Sequence, residues 1–139
     1  MPDPMNIPGD IRDFLTACPV GVLGTTKPDG SPRLATVTFV LDGDQLFVSS
    51  ELNAAKARDV ARTGRAVLCV HGLEAPYPSL ALHGPARLLG DGLGRASTMI
   101  WEKIQGEPVA EPFKDEDVAA FGRTIIEISV TTISGRAHL

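Results

Sequence analysis

Two tight-turn signals flank one run of alternating residues, and together they dictate how this chain begins to fold. Lys27-Pro28-Asp29-Gly30-Ser31 precedes residues 33–41, and Asp42-Gly43-Asp44 follows them. Pro28 presets φ for a turn and Gly30 takes the positive φ that closes it, so the chain reverses before the run. The second signal reverses it again. Between them Leu34, Thr36, Thr38 and Val40 alternate with Ala35, Val37, Phe39 and Leu41, which is the period of a strand rather than a helix. Residues 20–26, 33–41 and 45–50 are therefore expected as three antiparallel strands in meander. Both faces of the middle strand are largely apolar, which predicts that both are covered.

Around this meander the period changes several times. Residues 7–17 read as a short helix with Ile7, Ile11, Phe14 and Leu15 on one face, stopped by Pro19. After the third strand, Asn53 is placed to cap a helix over 54–62, with Gly64 at its end. A fourth strand (65–72), a proline-containing loop (73–78) and a fifth strand (79–89, bent at Gly84-Pro85) come next. An amphipathic helix over 93–105, a loop over 106–112 and a short helix over 114–121 lead to a sixth strand over 123–132, which the tail 133–139 extends. Trp101, on the first of these helices, is expected in the core, and the acidic stretch 107–117 on the surface. Strands mostly in hairpin order, without βαβα alternation, predict one mainly β domain of 139 residues. Its expected form is a six-stranded antiparallel barrel with a few covering helices.

Several function classes are disfavoured. The net charge of −4 argues against a general nucleic-acid binder. No segment holds the roughly 18 consecutive apolar residues of a membrane span. The first ten residues lack the pattern of an export signal, so the expectation is a cytoplasmic protein in which Cys18 and Cys69 are reduced, buried thiols. His71, His83 and His138 lie at no metal-ligand spacing, and no Gly-x-Ser-x-Gly elbow is present. The run Gly90-x-Gly92-x-Gly94 lacks the final Gly or Ala (Arg95 or Ser97 stands there) and the βαβ setting of a dinucleotide fingerprint, and reads as a strand-to-helix turn. No catalytic side chain is assigned.

One segment does carry chemistry. Ser49 and Ser50 end a strand, and a helix bearing Lys56 and Arg58 starts immediately after. Hydroxyls, free helix N–H groups and two cations at one junction are suited to a phosphate. The alternative is that Lys56 and Arg58 are ordinary solvated charges. Two residues apart on a regular helix, they point to different sides.

The chain resembles the pyridoxamine-phosphate-oxidase-like flavin-binding split barrels, and looks closest to their small actinobacterial branch with deazaflavin (coenzyme F420)-dependent reductases. The pieces that carry the resemblance run from about Phe14 to Val130. They are residues 24–32, 41–49, the stretch Lys56-Ala57-Arg58-Asp59-Val60, residues 65–70 and residues 80–88. The resemblance implies a homodimer with each cofactor in the groove between subunits. It implies that Lys56 and Arg58 hold the cofactor phosphate, with Ser49 and Ser50 adding hydroxyls. It also implies that the second strand, around Arg33, Thr36, Val37 and Thr38, lies against the ring system. The implied activity is F420-dependent hydride transfer to a small conjugated molecule. An FMN-dependent oxidase or reductase and a non-catalytic flavin- or haem-binding module are the alternatives. The chain departs from many relatives at Ala55, where they carry an arginine, and at Ile133-Ser134-Gly135-Arg136, where they carry a tryptophan beside the ring; Trp101 is the alternative shield for the ring, against its expected place in the core.

Overall fold

The computed structural model describes residues 3–136. The meander forms as expected: β1 (Val20–Thr26), β2 (Pro32–Asp42) and β3 (Gln45–Glu51) are antiparallel neighbours, with Gly30 and Gly43 at positive φ in the two turns. Around them run α1 (Gly9–Ala17), α2 (Ala55–Thr63), β4 (Arg65–His71), β5 (Ser79–Leu88), α3 (Leu93–Gln105), α4 (Asp115–Ala120), β6 (Arg123–Ser129) and β7 (Thr132–Arg136). The strand order β4-β1-β2-β3-β6-β5 closes through a β4–β5 pairing, giving a six-stranded antiparallel barrel. Its interior is filled by alternate residues of these strands, among them Leu23, Phe39, Leu46, Val48, Leu68, Leu82, Ile126 and Ile128, with Leu15 of α1 closing one end.

Three details depart from the sequence reading. The chain after β6 does not extend that strand. It breaks at Val130–Thr131, and β7 pairs instead with β5, from Ser79↔Arg136 to His83↔Thr132. Thr131 marks the change by donating its N–H to the His83 carbonyl at 2.9 Å. The last three residues of the tail, with His138, lie outside the described residues. Second, the outward face of β2 is covered only in part: Val40 packs under α3, whereas Leu34 (72% exposed) and Thr36 lie open. Third, Cys18 is buried but Cys69 only half so; both are free thiols. Burial raises the Cys18 pKa against the lowering effect of nearby Lys103.

The bend read at Gly84-Pro85 is where β5 changes partners. Before it, β5 lies between β4 and β7; after it, Ala86–Leu88 pair with β6. α3 crosses the outer face of β2, β3 and β6 over a second apolar cluster of Phe47, Ala96, Ile100 and Ile125. Lys103 pins the far end of α3, donating to the carbonyls of Leu15 at 3.1 Å and Phe39 at 3.2 Å. Burial lowers its pKa to about 8.

Candidate functional site

The barrel is split between β2 and β3. The two strands pair only from Phe39↔Val48 to Asp42↔Gln45. Beyond that point residues 32–38 of β2 pair with β1 alone, and residues 49–51 of β3 with β6 alone. The β3-facing edge of β2 therefore has no ladder partner over residues 32–38, and unpaired backbone donors and acceptors need a partner from elsewhere. The sequence-predicted residues of β2 and β3 flank this opening.

They play different parts in it. Thr36 is exposed and Thr38 partly so, while Val37 alternates inward and its side chain belongs to the barrel core. Ser49 faces outward, and its Oγ accepts a hydrogen bond from Arg123 Nη2 at 2.8 Å. Ser50 faces inward, and its hydroxyl donates to the Glu51 carbonyl at 2.9 Å. Arg33 reaches from β2 to α2, where its Nε lies 2.6 Å from Oδ2 of the buried Asp59. Thr25 donates to the same oxygen, and Arg62 holds the other at 3.1 Å. This cluster fixes the pitch of α2 against the ends of β1 and β2.

α2 starts at Ala55 with Ala54 as N-cap, one residue later than the sequence suggested; Asn53 does not cap it. No side chain caps this end and no acidic residue lies in the first turn. Lys56, half-buried, has no hydrogen bond or ion pair among the described residues. Arg58 is exposed and curls back to the Asn53 carbonyl. The two cations do diverge, as spacing on a regular helix requires.

Beside the opening, α3, α4 and the strand floor enclose a cleft of about 490 Å³, within the range of small-molecule sites. Thr38, Ser49 and Arg123 form the floor, and Ile100, Trp101, Ile104, Phe113 and Phe121 much of the wall. Trp101 is not a core residue: it is 51% exposed in the cleft, with the Phe113 ring 6.5 Å away. The stretch before α4 is fastened to α3. Asp115 accepts from the N–H groups of Gly92 and Gly94 at 3.0 and 2.8 Å, and Thr98 Oγ1 accepts from Phe113 N at 2.9 Å. The glycine-rich turn read in the sequence thus docks this wall. A Cβ on Gly94 would come within 2.3 Å of the Phe113 carbonyl oxygen.

The cleft and the start of α2 belong to one region. Leu52, in the connection to α2, donates to the Gly122 carbonyl at 2.8 Å, and residues 121 and 123 on either side of it line the cleft. Sequence reasoning missed Arg123; the only trace of it was a lone cation opening a strand. A second cleft, of about 360 Å³, lies on the β1–β4–β5 side with Arg65 and His83 in its lining. It contains none of the sequence-predicted residues. No group of three or more metal-ligating side chains is found among the described residues, and no helix there is long and apolar enough to cross a membrane.

Comparison with known proteins agrees with this fold. The family model described as pyridoxamine 5′-phosphate oxidase matches residues 7–137. A conserved hypothetical protein of Mycobacterium tuberculosis superposes with a TM-score of 0.77 at 21% identity, over 98% of this chain and 88% of that one. A structure described as an F420 reductase gives 0.72 at 24% identity, over 92% and 98%. The haem storage protein HutZ of Vibrio cholerae gives 0.67 at 13% identity, over 95% and 96%. Among curated proteins none has a significantly similar sequence.

Proposed function

This chain belongs to the pyridoxamine 5′-phosphate oxidase family, and from that membership we infer that it is an oxidoreductase using a phosphate-bearing flavin-type cofactor, coenzyme F420 in preference to FMN, to reduce a small conjugated molecule. The observation that carries the reading is Lys56, an unpartnered cation in the first turn of an uncapped helix beside the split between β2 and β3. A helix start already bears partial positive charge, so a lysine placed there is unfavourable until an anion joins it. A phosphate offsets both charges and accepts from the free N–H groups. A structure described as an F420 reductase is among the chain's structural relatives, which is the ground for ranking F420 first.

When bound, such a cofactor supplies the hydride. The chain's part is binding, orientation and exclusion of water. Lys56 is the principal phosphate ligand, with exposed Arg58 a secondary one. The unpaired edge of β2 around Thr36, Val37 and Thr38 offers backbone hydrogen bonds to the pyrimidine edge of the ring. Ser49, engaged by Arg123 on the outward face, is left to the molecule being reduced, and Ser50 acts through the strand end it braces. Arg33 acts through α2, since its guanidinium is held by Asp59. The apolar wall of α3 keeps water from the reacting face.

Titrating the apo protein with F420, FMN and haem should raise its melting temperature only for the true ligand. Lys56→Ala should weaken that ligand by roughly 1.5–3 kcal/mol, the scale of a charge-assisted hydrogen bond, or about ten- to a hundredfold. The apo melting temperature should not fall, and should rise slightly, because the change removes a cation from a helix start. Unchanged affinity in this variant, or no stabilisation by any of the three ligands, defeats the reading.

The open face of β1 and β2 is the proposed dimer surface. Val20 (46% exposed), Leu34 and Thr36 lie together on it by register. Exposed apolar patches of this kind mark interaction sites. Leu34→Lys should convert a dimer into a folded monomer by light scattering. A wild-type protein that is already monomeric at tens of micromolar would remove the second subunit from the scheme.

A further inference from the structure

We propose that Arg123 and Ser49 make the cleft under α3 selective for a flat, conjugated ligand that carries a carboxylate. The protein is acidic overall, at −4, yet among the described residues the only charged one in the lining of this cleft is a cation, Arg123. The guanidinium donates through Nη2 to Ser49 Oγ at 2.8 Å. Its ion-pair partner, the exposed carboxylate of Glu51, stands 3.9 Å from Nη1, beyond hydrogen-bonding range. Nε and Nη1 are left without a hydrogen bond among the described residues. Because Ser49 accepts from Arg123, its own hydroxyl proton is free to donate. Two neighbouring side chains thus present several donors and no carboxylate lines the space between them, an arrangement that matches an anionic oxygen pair.

The remainder of the cleft sets the shape. Trp101 and Phe113 stand together on one side and Phe121 on another, and aromatic walls of this kind favour a planar apolar body. An apolar ligand without the anion desolvates Nε and Nη1 of the guanidinium without giving them a hydrogen bond, which costs affinity. Selectivity therefore falls on the acid over its neutral analogue. The inference rests on the redox reading for what becomes of the ligand, but its binding does not require the cofactor.

The chain's single tryptophan, Trp101, lines this cleft, so its emission reports occupancy in the apo protein directly. Cinnamate and cinnamamide, titrated against Trp101 emission and checked by calorimetry, differ only in charge and hydrogen-bonding pattern at one end. Cinnamate should bind at least tenfold tighter. Arg123→Gln should erase that preference, and Arg123→Lys should keep part of it. Equal affinity for acid and amide, binding of neither, or a preference that survives Arg123→Gln overturns the assignment. Failure of F420 and FMN to bind is read in a separate titration and bears only on the redox reading.

Discussion

Gly84→Ala should lower the melting temperature by at least roughly 10 °C, or prevent soluble expression altogether. The reason is steric and backbone-to-backbone. A Cβ built on Gly84 lies 1.8 Å from the Ser129 carbonyl oxygen and 2.8 Å from its carbon, with Thr131 N at 3.3 Å. These atoms belong to the point where β6 ends and the chain turns into β7, and neither side can yield as a flexible side-chain tip would. Gly84 pairs with Ala66 on one side while, just after it, β5 passes from β7 to β6 on the other. Relief of the clash requires the β5–β6 and β5–β7 pairings to move apart, and these close one side of the barrel. Overpacking of ordinary cores costs about 1–3 kcal/mol; a backbone collision of this depth belongs to the exceptional class above about 4. For a domain of this size a kcal/mol corresponds to roughly 3–4 °C. Gly90→Ala is the matched control: its Cβ meets nothing within 4 Å and its φ is not positive. Differential scanning fluorimetry of the two variants decides the point. A Gly84→Ala protein that melts with the wild type would mean that the crossing at Ser129–Thr131 is looser than described.

The same glycine shows how far the amino-acid pattern reaches. A Gly-Pro pair inside a strand signals a bend, and the bend is there; the pattern does not say that the strand changes neighbours at it. The meander was legible because its information is local: Pro28, Gly30 and Gly43 set turn dihedrals whatever the rest of the chain does. The β3–β6 pairing brings Ser49 opposite Ile125, across a separation in sequence that no local signal encodes. β7 was missed for a related reason. Residues 123–136 carry strand-compatible residues almost throughout, and the break at Thr131 is made by a partner, the His83 carbonyl.

The candidate site was legible in proportion to its local content. Ser49, Ser50 and Lys56 occupy one strand–helix junction and could be found there. The divergence of Lys56 and Arg58 followed from helix geometry alone. What periodicity left open was which of the two is free, because that depends on the Asn53 carbonyl that takes up Arg58. Trp101 was misassigned because an amphipathic helix has two edges to its apolar stripe, and a residue at the edge lines a cleft as readily as it joins a core. The family resemblance implied that Arg33 lies with its strand against the ring. Its side chain turns inward to Asp59, a buried acid whose partners come from β1, β2 and α2 itself.

That acid gives the second large effect. Asp59→Asn should destabilise the protein by about 2–3 kcal/mol at neutral pH. Breaking a buried charge cluster costs about 3–5 kcal/mol, reduced here because Arg33 and Arg62 remain partly in water. Burial by itself raises the Asp59 pKa, but the hydrogen bonds from Arg33, Thr25 and Arg62 outweigh it and hold the carboxyl below its ordinary value. A carboxylate depressed on folding contributes stability above its unfolded pKa, near 4, and loses it as pH falls through the lower, folded value. The gap between wild type and Asp59→Asn should therefore be full at pH 7, and should close as the pH is taken below about 4. Denaturant unfolding of both proteins from pH 7 down to 3 measures it. The substitution also tests the cradle. Asp59 lies on α2 three residues after Lys56, and through Arg33 it ties that helix to the unpaired edge of β2. If phosphate and ring are gripped from those two elements, releasing one from the other should weaken cofactor binding in a protein that is still folded at 25 °C. Lys56→Ala, by contrast, should weaken binding without lowering stability. A variant that loses stability with the stated pH dependence yet binds cofactor as tightly as wild type would leave the Asp59 cluster as scaffold alone, and would place the cofactor away from the α2–β2 junction.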